Sequence, residues 1–239
     1  GRAKWQGVGG VRYSGRRPGQ RNLMPELNLT LNDFLILVAS YLVGALPTAF
    51  LITKLLTGKD IRDHGSGNAG GTNVMRVVGK IPGIFVIILD VSKGALVVWV
   101  VMKITNHPHL AISSGFFSVI GHIWPVYTHF KGGKGVATTY GLFFIIEPFS
   151  ALLSVFILII LVLITKMMSL GSILSLIAFN LIFLFIVRPN YSILAPLKDD
   201  VVIYFILLTS VVIYKHRSNI KRIIQGNENK INLWKKTET

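Results

Sequence analysis

The chain has 239 residues, 51% of them hydrophobic, with a mean hydropathy of +0.59; the apolar residues lie in long blocks and the charges in short connectors, the pattern of a polytopic membrane protein. It has no cysteine, which excludes disulfides, thiolate metal sites and cysteine nucleophiles. Ten acids against 25 lysines and arginines give a formal charge of +15, and because the cations flank apolar blocks they suit anionic headgroups and a phosphorylated ligand rather than nucleic acid.

Residues 1–23, GRAKWQGVGGVRYSGRRPGQRNL, carry six cations, no acid and no apolar run long enough for a signal sequence. They read as a disordered leader or expression remnant, with the native chain starting at Met24. Without those six cations the remainder is still +9. Residues 24–239 read as a single transmembrane domain with a basic tail.

Blocks able to cross roughly 30 Å of hydrocarbon at about 1.5 Å per residue run from about Asn32 to Leu55, Pro82 to Ile104 and Leu110 to Tyr127. Three more run from about Phe149 to Thr165, Leu170 to Val187 and Val201 to Tyr214. Val136 to Glu147 is shorter and ends at Pro148, as a short crossing or as half of a kinked span. If it crosses, Lys59, Arg62, Arg76, Lys80, Lys131, Lys134, Lys166 and the tail from Lys215 to Lys236 share one side. Cytoplasmic loops collect such cations. The fold expected is an all-α integral membrane bundle of about seven transmembrane helices, N-terminus outside and C-terminus cytoplasmic.

Between the first two blocks lies DIRDHGSGNAGGTNVMRVVG, Asp60 to Gly79. Gly65, Gly67 and Gly70 spell G-x-G-x-x-G, but no strand or βαβ unit accompanies them, and Gly71 stands where a Walker loop needs lysine. The physics survives without either fold: small residues followed by Thr72, Asn73 and a helix-forming run present N–H groups to a phosphate. Arg76, one turn on, can add a bidentate contact. Taken alone, the stretch reads equally well as a tightly packed surface turn.

LDVSKG places Asp90 and Lys93 three residues apart on one helix face inside an apolar block, where a structural ion pair is expected. GHIWPVYTHFKGGKGVAT then puts Lys131 and Lys134 at the inner membrane edge. Lysines there can be lipid anchors, but an anchor does not require the glycines of Lys-Gly-Gly-Lys-Gly, and a backbone approaching an anion does. His122 reads as a hydrogen-bonded packing residue. In the tail, YKHRSNIKRIIQGNENKI, His216 and Asn219 share a helix face that ordinary flanking charge does not explain. The six histidines are scattered, so no metal cluster is expected.

Together these stretches resemble the bacterial PlsY family, the integral-membrane acyl-phosphate:glycerol-3-phosphate acyltransferases. The resemblance runs from about Leu31 to Lys230 and is carried by Gly44, Pro47, GSGNAGGTN with Arg76, Asp90 with Lys93 and Gly94, GHIWPVYTHFKGGKGVAT, and HRSNIKR. Departures are Ala45 for serine, Gly71 for alanine, which can loosen the loop, and Ser218 for an acid.

The resemblance implies transfer of a fatty acyl group from acyl phosphate to the 1-hydroxyl of glycerol 3-phosphate, giving lysophosphatidic acid and inorganic phosphate. It implies a cytoplasm-facing site in the bacterial inner membrane, no cofactor and no metal. The partners are the two substrates, membrane lipid and the phosphotransacylase that makes acyl phosphate. By motif, Ser66, Gly67, Asn68, Gly70, Gly71, Thr72 and Asn73 hold the leaving phosphate with Lys134 nearby. Arg76, Lys131, His216, Arg217 and Asn219 go to glycerol 3-phosphate, with Gly132 and Gly133 beside them as substrate-binding. Ser66, Lys134, His216 and Asn219 are the expected catalytic set.

Acyl phosphate arrives activated, so positioning and charge stabilisation carry the reaction. The proton acceptor is His216, His122 or the substrate's own phosphate, the last favoured because no histidine is visibly oriented by a carboxylate. Ser66 as acyl-accepting nucleophile is the alternative route. A transporter of phosphorylated metabolites is the rival class, but it lacks a visible inverted repeat.

Overall fold

The computed structural model describes residues 30–188 and 198–231, without the side chains of Lys198 and Asp199. The leader and the Met24 start lie outside the described residues. Every regular element among the described residues is helical. A capping box starts α1 (Leu31–Gly44): Thr30 Oγ1 accepts the Asp33 N–H at 3.2 Å while the Asp33 carboxylate accepts the Thr30 N–H at 3.0 Å. Proline has no N–H to continue the ladder, so the chain breaks at Pro47 and resumes as α2 (Thr48–Thr57). The block expected from Asn32 to Leu55 is thus one span that is broken in the middle.

The short α3 (Gly71–Val77) leads into α4 (Lys80–Thr105), the central helix, which packs against α1, α2, α3, α5 (Pro108–Ile123) and α6 (Val136–Ile146). Pro148 starts α7 (Pro148–Thr165), whose first turn is capped by Glu147 accepting the Ser150 N–H at 2.6 Å. Next come α8 (Met168–Ile182), which continues through a π turn to Val187, then α9 (Lys198–Lys215) and α10 (Arg217–Ile224).

Among the described residues, five helices are long and apolar enough to cross a membrane: Leu31–Thr57, Lys80–Thr105, Pro108–Thr128, Pro148–Thr165 and Met168–Val187. A sixth arises if α9 and α10, bent by 61°, count together. At 11 residues, α6 reaches only about 16 Å.

Bare backbone sets a close crossing of α4 and α6. A Cβ on Gly94 of α4 would stand 2.2 Å from the Thr138 carbonyl of α6, and one on Gly141 would stand 2.1 Å from the Val91 carbonyl, so α4 and α6 meet at van der Waals limits. Farther along, Phe143 stacks on Phe179 with centroids 3.6 Å apart, and Phe205 meets both edge-on, tying α6 to α8 and α9. Large apolar side chains such as Phe34, Ile88, Phe156 and Ile164 remain exposed on the outer faces of α1, α4 and α7, as a lipid-solvated surface requires.

Candidate active site

The break between α1 and α2 braces the wall of the site, through Asp90. The Leu46 carbonyl, which also accepts the Thr48 N–H at 3.0 Å, accepts from Lys93 Nζ at 3.1 Å. Lys93 also pairs with Asp90 Oδ1 at 2.9 Å, and Thr48 Oγ1 donates to the same oxygen at 2.6 Å. This is the ion pair expected from LDVSKG, fully buried and satisfied. A third partner corrects the sequence reading: His122 Nδ1 lies 3.4 Å from Asp90 Oδ1, so one histidine does stand against a carboxylate. The two residues are on different helices, and no local spacing announces the contact.

Above that wall the Asp60–Gly79 stretch folds as a 3-10 turn at Ile61–Asp63, a loop and α3. Asn73 organises the loop. Its Oδ1 accepts the Ser66 N–H at 2.8 Å, and its Nδ2 donates to the His64 carbonyl at 2.9 Å and the Ile61 carbonyl at 3.2 Å. With its amide engaged on backbone, Asn73 shapes the pocket rather than offering a free donor to an anion. Arg62 pins the loop from outside, paired with Asp60 at 2.6 Å and donating to the Thr128 carbonyl at 3.1 Å.

On the opposite side, Lys134 donates to Asn219 Oδ1 at 2.5 Å. Asn219 Nδ2 donates to Glu228 Oε1 at 2.7 Å, and the same carboxylate accepts from Ser169 at 2.8 Å and Arg222 Nε at 2.8 Å. Sequence reasoning missed Glu228. Its one signal was being the single acid between Lys215 and Lys236. Burial pulls the Lys134 ammonium down to about 8; the cations Arg222, Arg76 and Lys215 add to the fall, and Glu228 opposes it.

His216 occupies the bend between α9 and α10. Its Nδ1 is 2.7 Å from the Val212 carbonyl, which only accepts, so the proton sits on Nδ1 and Nε2 keeps its lone pair. Burial, reinforced by the Lys134 charge, lowers this ring to about 4. Arg76 donates to the Asn229 carbonyl at 3.4 Å, while its Nε is buried without a hydrogen-bond partner. Burial also lowers the Arg76 guanidinium, against the attraction of Glu228.

These groups line one cavity of about 310 Å³. Its polar mouth carries Ser66, Asn68, Gly70, Gly71, Thr72, Asn73, Arg76, Lys134, His216 and Asn219, with Asp90 and His122 beneath; its other end is an apolar arm along α6 and α7. Ten of the residues expected at the site therefore converge. Gly67, Lys131, Gly132, Gly133 and Arg217 do not line it. Gly67 only turns the loop, at φ +70°. Exposed Arg217 lies over the Tyr214 ring at 4.8 Å. Lys131, Gly132 and Gly133 border a separate small pocket with Pro47 and Pro125. Gly133 packs so closely that a Cβ would stand 2.1 Å from His122 Nε2, and its N–H donates to the His122 carbonyl at 3.1 Å.

No group of three or more His, Cys, Asp or Glu suited to a metal ion occurs among the described residues.

A family described as glycerol-3-phosphate acyltransferase matches residues 34–226. A glycerol-3-phosphate acyltransferase of Prochlorococcus marinus strain MIT 9312 is 40% identical over 200 residues, covering 84% of this chain and 98% of the relative. One of Halalkalibacterium halodurans is 38% identical over 209 residues, covering 85% and 98%. Among solved structures, the fold is similar to PlsY, an integral membrane glycerol 3-phosphate acyltransferase, in its glycerol 3-phosphate form. The TM-score is 0.75 and the identity 33%, with 84% of this chain and 96% of that one covered. The lysophosphatidic acid form of that protein gives 0.73 and 32%.

Proposed function

The chain belongs to the glycerol-3-phosphate acyltransferase family, whose reaction acylates glycerol 3-phosphate to lysophosphatidic acid, and from that premise we propose that its donor is an acyl phosphate held in the same cavity as the acceptor. The observation that carries this reading is the joining of two cations, Arg76 and Lys134, to an apolar arm within one enclosure. Both substrates bear phosphate and one bears a long chain, and the enclosure has a place for each.

In this reading the Ser66–Thr72 loop and Lys134 hold the donor phosphate, and Arg76, whose Nε lacks a partner, takes the acceptor phosphate. The 1-hydroxyl oxygen attacks the acyl carbonyl carbon, the bond from that carbon to the bridging oxygen breaks, and the departing phosphate takes the hydroxyl proton. Lys134 stabilises the charge that builds on the leaving group. His216, lowered to about 4 by burial, is poorly matched to this proton. His216 then orients the acceptor through Nε2. Asn219, with both ends of its amide occupied, positions Lys134 and touches neither substrate.

Seven crossings with the N-terminus outside put the mouth on the cytoplasmic face of the bacterial cell membrane, where a phosphotransacylase partner supplies acyl phosphate. This topology needs α6, short as it is, to cross with help from the loop before it.

The test is product formation by the purified protein in lipid. Labelled glycerol 3-phosphate and palmitoyl phosphate give lysophosphatidic acid and inorganic phosphate, and palmitoyl-CoA gives neither. Comparable turnover with the thioester overturns the donor assignment.

A further inference from the structure

The apolar arm has a readable length. On α6 it is lined by Val136, Ala137, Tyr140 and Phe144, a single helical stripe, and Val155 and Leu158 of α7 close the facing side. Lys134, at the polar mouth, lies two residues before the stripe begins. Among the α6 residues lining the arm, Phe144 stands farthest along the helix from that mouth. The eight residue-to-residue steps from Val136 to Phe144 correspond to about 12 Å of helix at 1.5 Å per residue.

The distal end is capped by aromatic rings, with Tyr140 and Phe144 at 6.2 Å between centroids. Tyr140 is buried, whereas the stripe is half-buried on either side of it, at Val136 and Ala137 and again at Phe144, and Val155 and Leu158 are half-buried too. At Phe144 the arm thus borders the lipid-facing surface.

An extended hydrocarbon chain, with C–C bonds near 1.5 Å, advances about 1.25 Å per carbon. An arm of about 12 Å thus encloses about ten carbons, fewer than a palmitoyl chain has. Resting on the acyl-donor reading above, we propose that Phe144 is the chain-length-determining residue: it marks the end of the enclosed arm, and the remainder of a longer chain must turn past its ring into the surrounding lipid. Chains of up to about ten carbons end at or before Phe144 and do not pass its ring. Longer ones are sensitive to the size of its side chain.

The test compares wild type with Phe144→Trp and Phe144→Ala, all in phosphatidylcholine vesicles. Decanoyl and palmitoyl donors are offered at equal mole fraction, each as acyl phosphate and as acyl-CoA. Which donor class turns over decides the donor assignment; the palmitoyl-to-decanoyl ratio of kcat/KM within the active class decides the role of Phe144. Phe144→Trp is expected to lower that ratio about tenfold, the discrimination a misfitting apolar pocket gives, with decanoyl transfer kept within about twofold. Phe144→Ala is expected to leave the ratio unchanged or higher.

A second readout does not depend on turnover. Palmitoyl and decanoyl lysophosphatidic acid should both raise the Tm of wild type, and in Phe144→Trp only the decanoyl form should still do so. A ratio unchanged within about twofold, together with equal Tm shifts in Phe144→Trp, overturns the assignment, as does an equal loss for both chain lengths.

Discussion

Two glycine-rich stretches, GSGNAGGTN and KGGKG, look alike in the sequence, and the structure uses them differently. In the first, small residues open the backbone: Gly70, Gly71 and Thr72 line the cavity, and Asn73 ties the loop to itself. In the second, the paired glycines let the chain lie against His122 and Pro125, where a Cβ on Gly132 would stand 2.4 Å from Pro125 Cδ. Only Lys134 and Gly135 of that run reach the cavity. In a membrane protein a glycine run can therefore mean close approach of backbone to backbone as readily as close approach to an anion. The cation beside the glycines is the informative residue.

The sharpest way to break this distinction is Lys134→Ala. On the proposed role of Lys134 at the departing phosphate, losing its ammonium should cost about 3 to 4 kcal/mol, roughly 10² to 10³ in kcat, comparable to removing one oxyanion donor. The rate is measured on protein shown to be folded and membrane-inserted. A loss of only a few fold would return KGGKG to the role of an anchor.

Next in size is a pair of glycine substitutions. Gly133→Ala forces a methyl into the His122 ring and toward the Ala69 carbonyl, so overpacking of about 1 to 3 kcal/mol is expected, seen as a lower Tm. Gly67→Ala meets no atom closer than 3.2 Å and carries only the strain of φ +70°, about 1 kcal/mol. A thermal melt in which the Gly67 variant falls further than the Gly133 variant would reverse the comparison.

The smallest effects belong to Lys131→Ala and Lys221→Ala. Both side chains are exposed and contribute about 1 kcal/mol each through headgroup attraction. Turnover should stay within a few fold of wild type, and a loss matching that of Lys134→Ala in either would show that charge near the membrane, not contact, is what matters.

Hydropathy made most of the bundle legible. The blocks from Pro82 to Ile104 and from Phe149 to Thr165 reappear as α4 and α7, and the short piece ended by Pro148 as α6. Pro47 sits where the first block breaks, although apolar character runs through it undisturbed. Of the site, the residues whose neighbours are local in sequence could be read, Ser66 to Arg76 above all. Contacts between distant helices could not. Asp90 and His122 meet across α4 and α5, and Glu228 meets Asn219 and Ser169 from a stretch with no apolar rhythm. Arg217 shows the converse: lying next to His216 in sequence does not bring it into the cavity.

The most direct test of the Lys134 role is the pH dependence of kcat in wild type and Lys134→Arg. Burial, with Arg222, Arg76 and Lys215 as like charges and Glu228 as the opposing one, sets the lysine at about 8. The ammonium proposed to act on the leaving group is therefore present below that pH and lost as pH rises through it, which gives wild type an alkaline limb near pH 8. Arginine stays protonated across the accessible range, so Lys134→Arg, whatever its absolute rate, should show no such limb. An alkaline limb that keeps its position in Lys134→Arg would contradict the account.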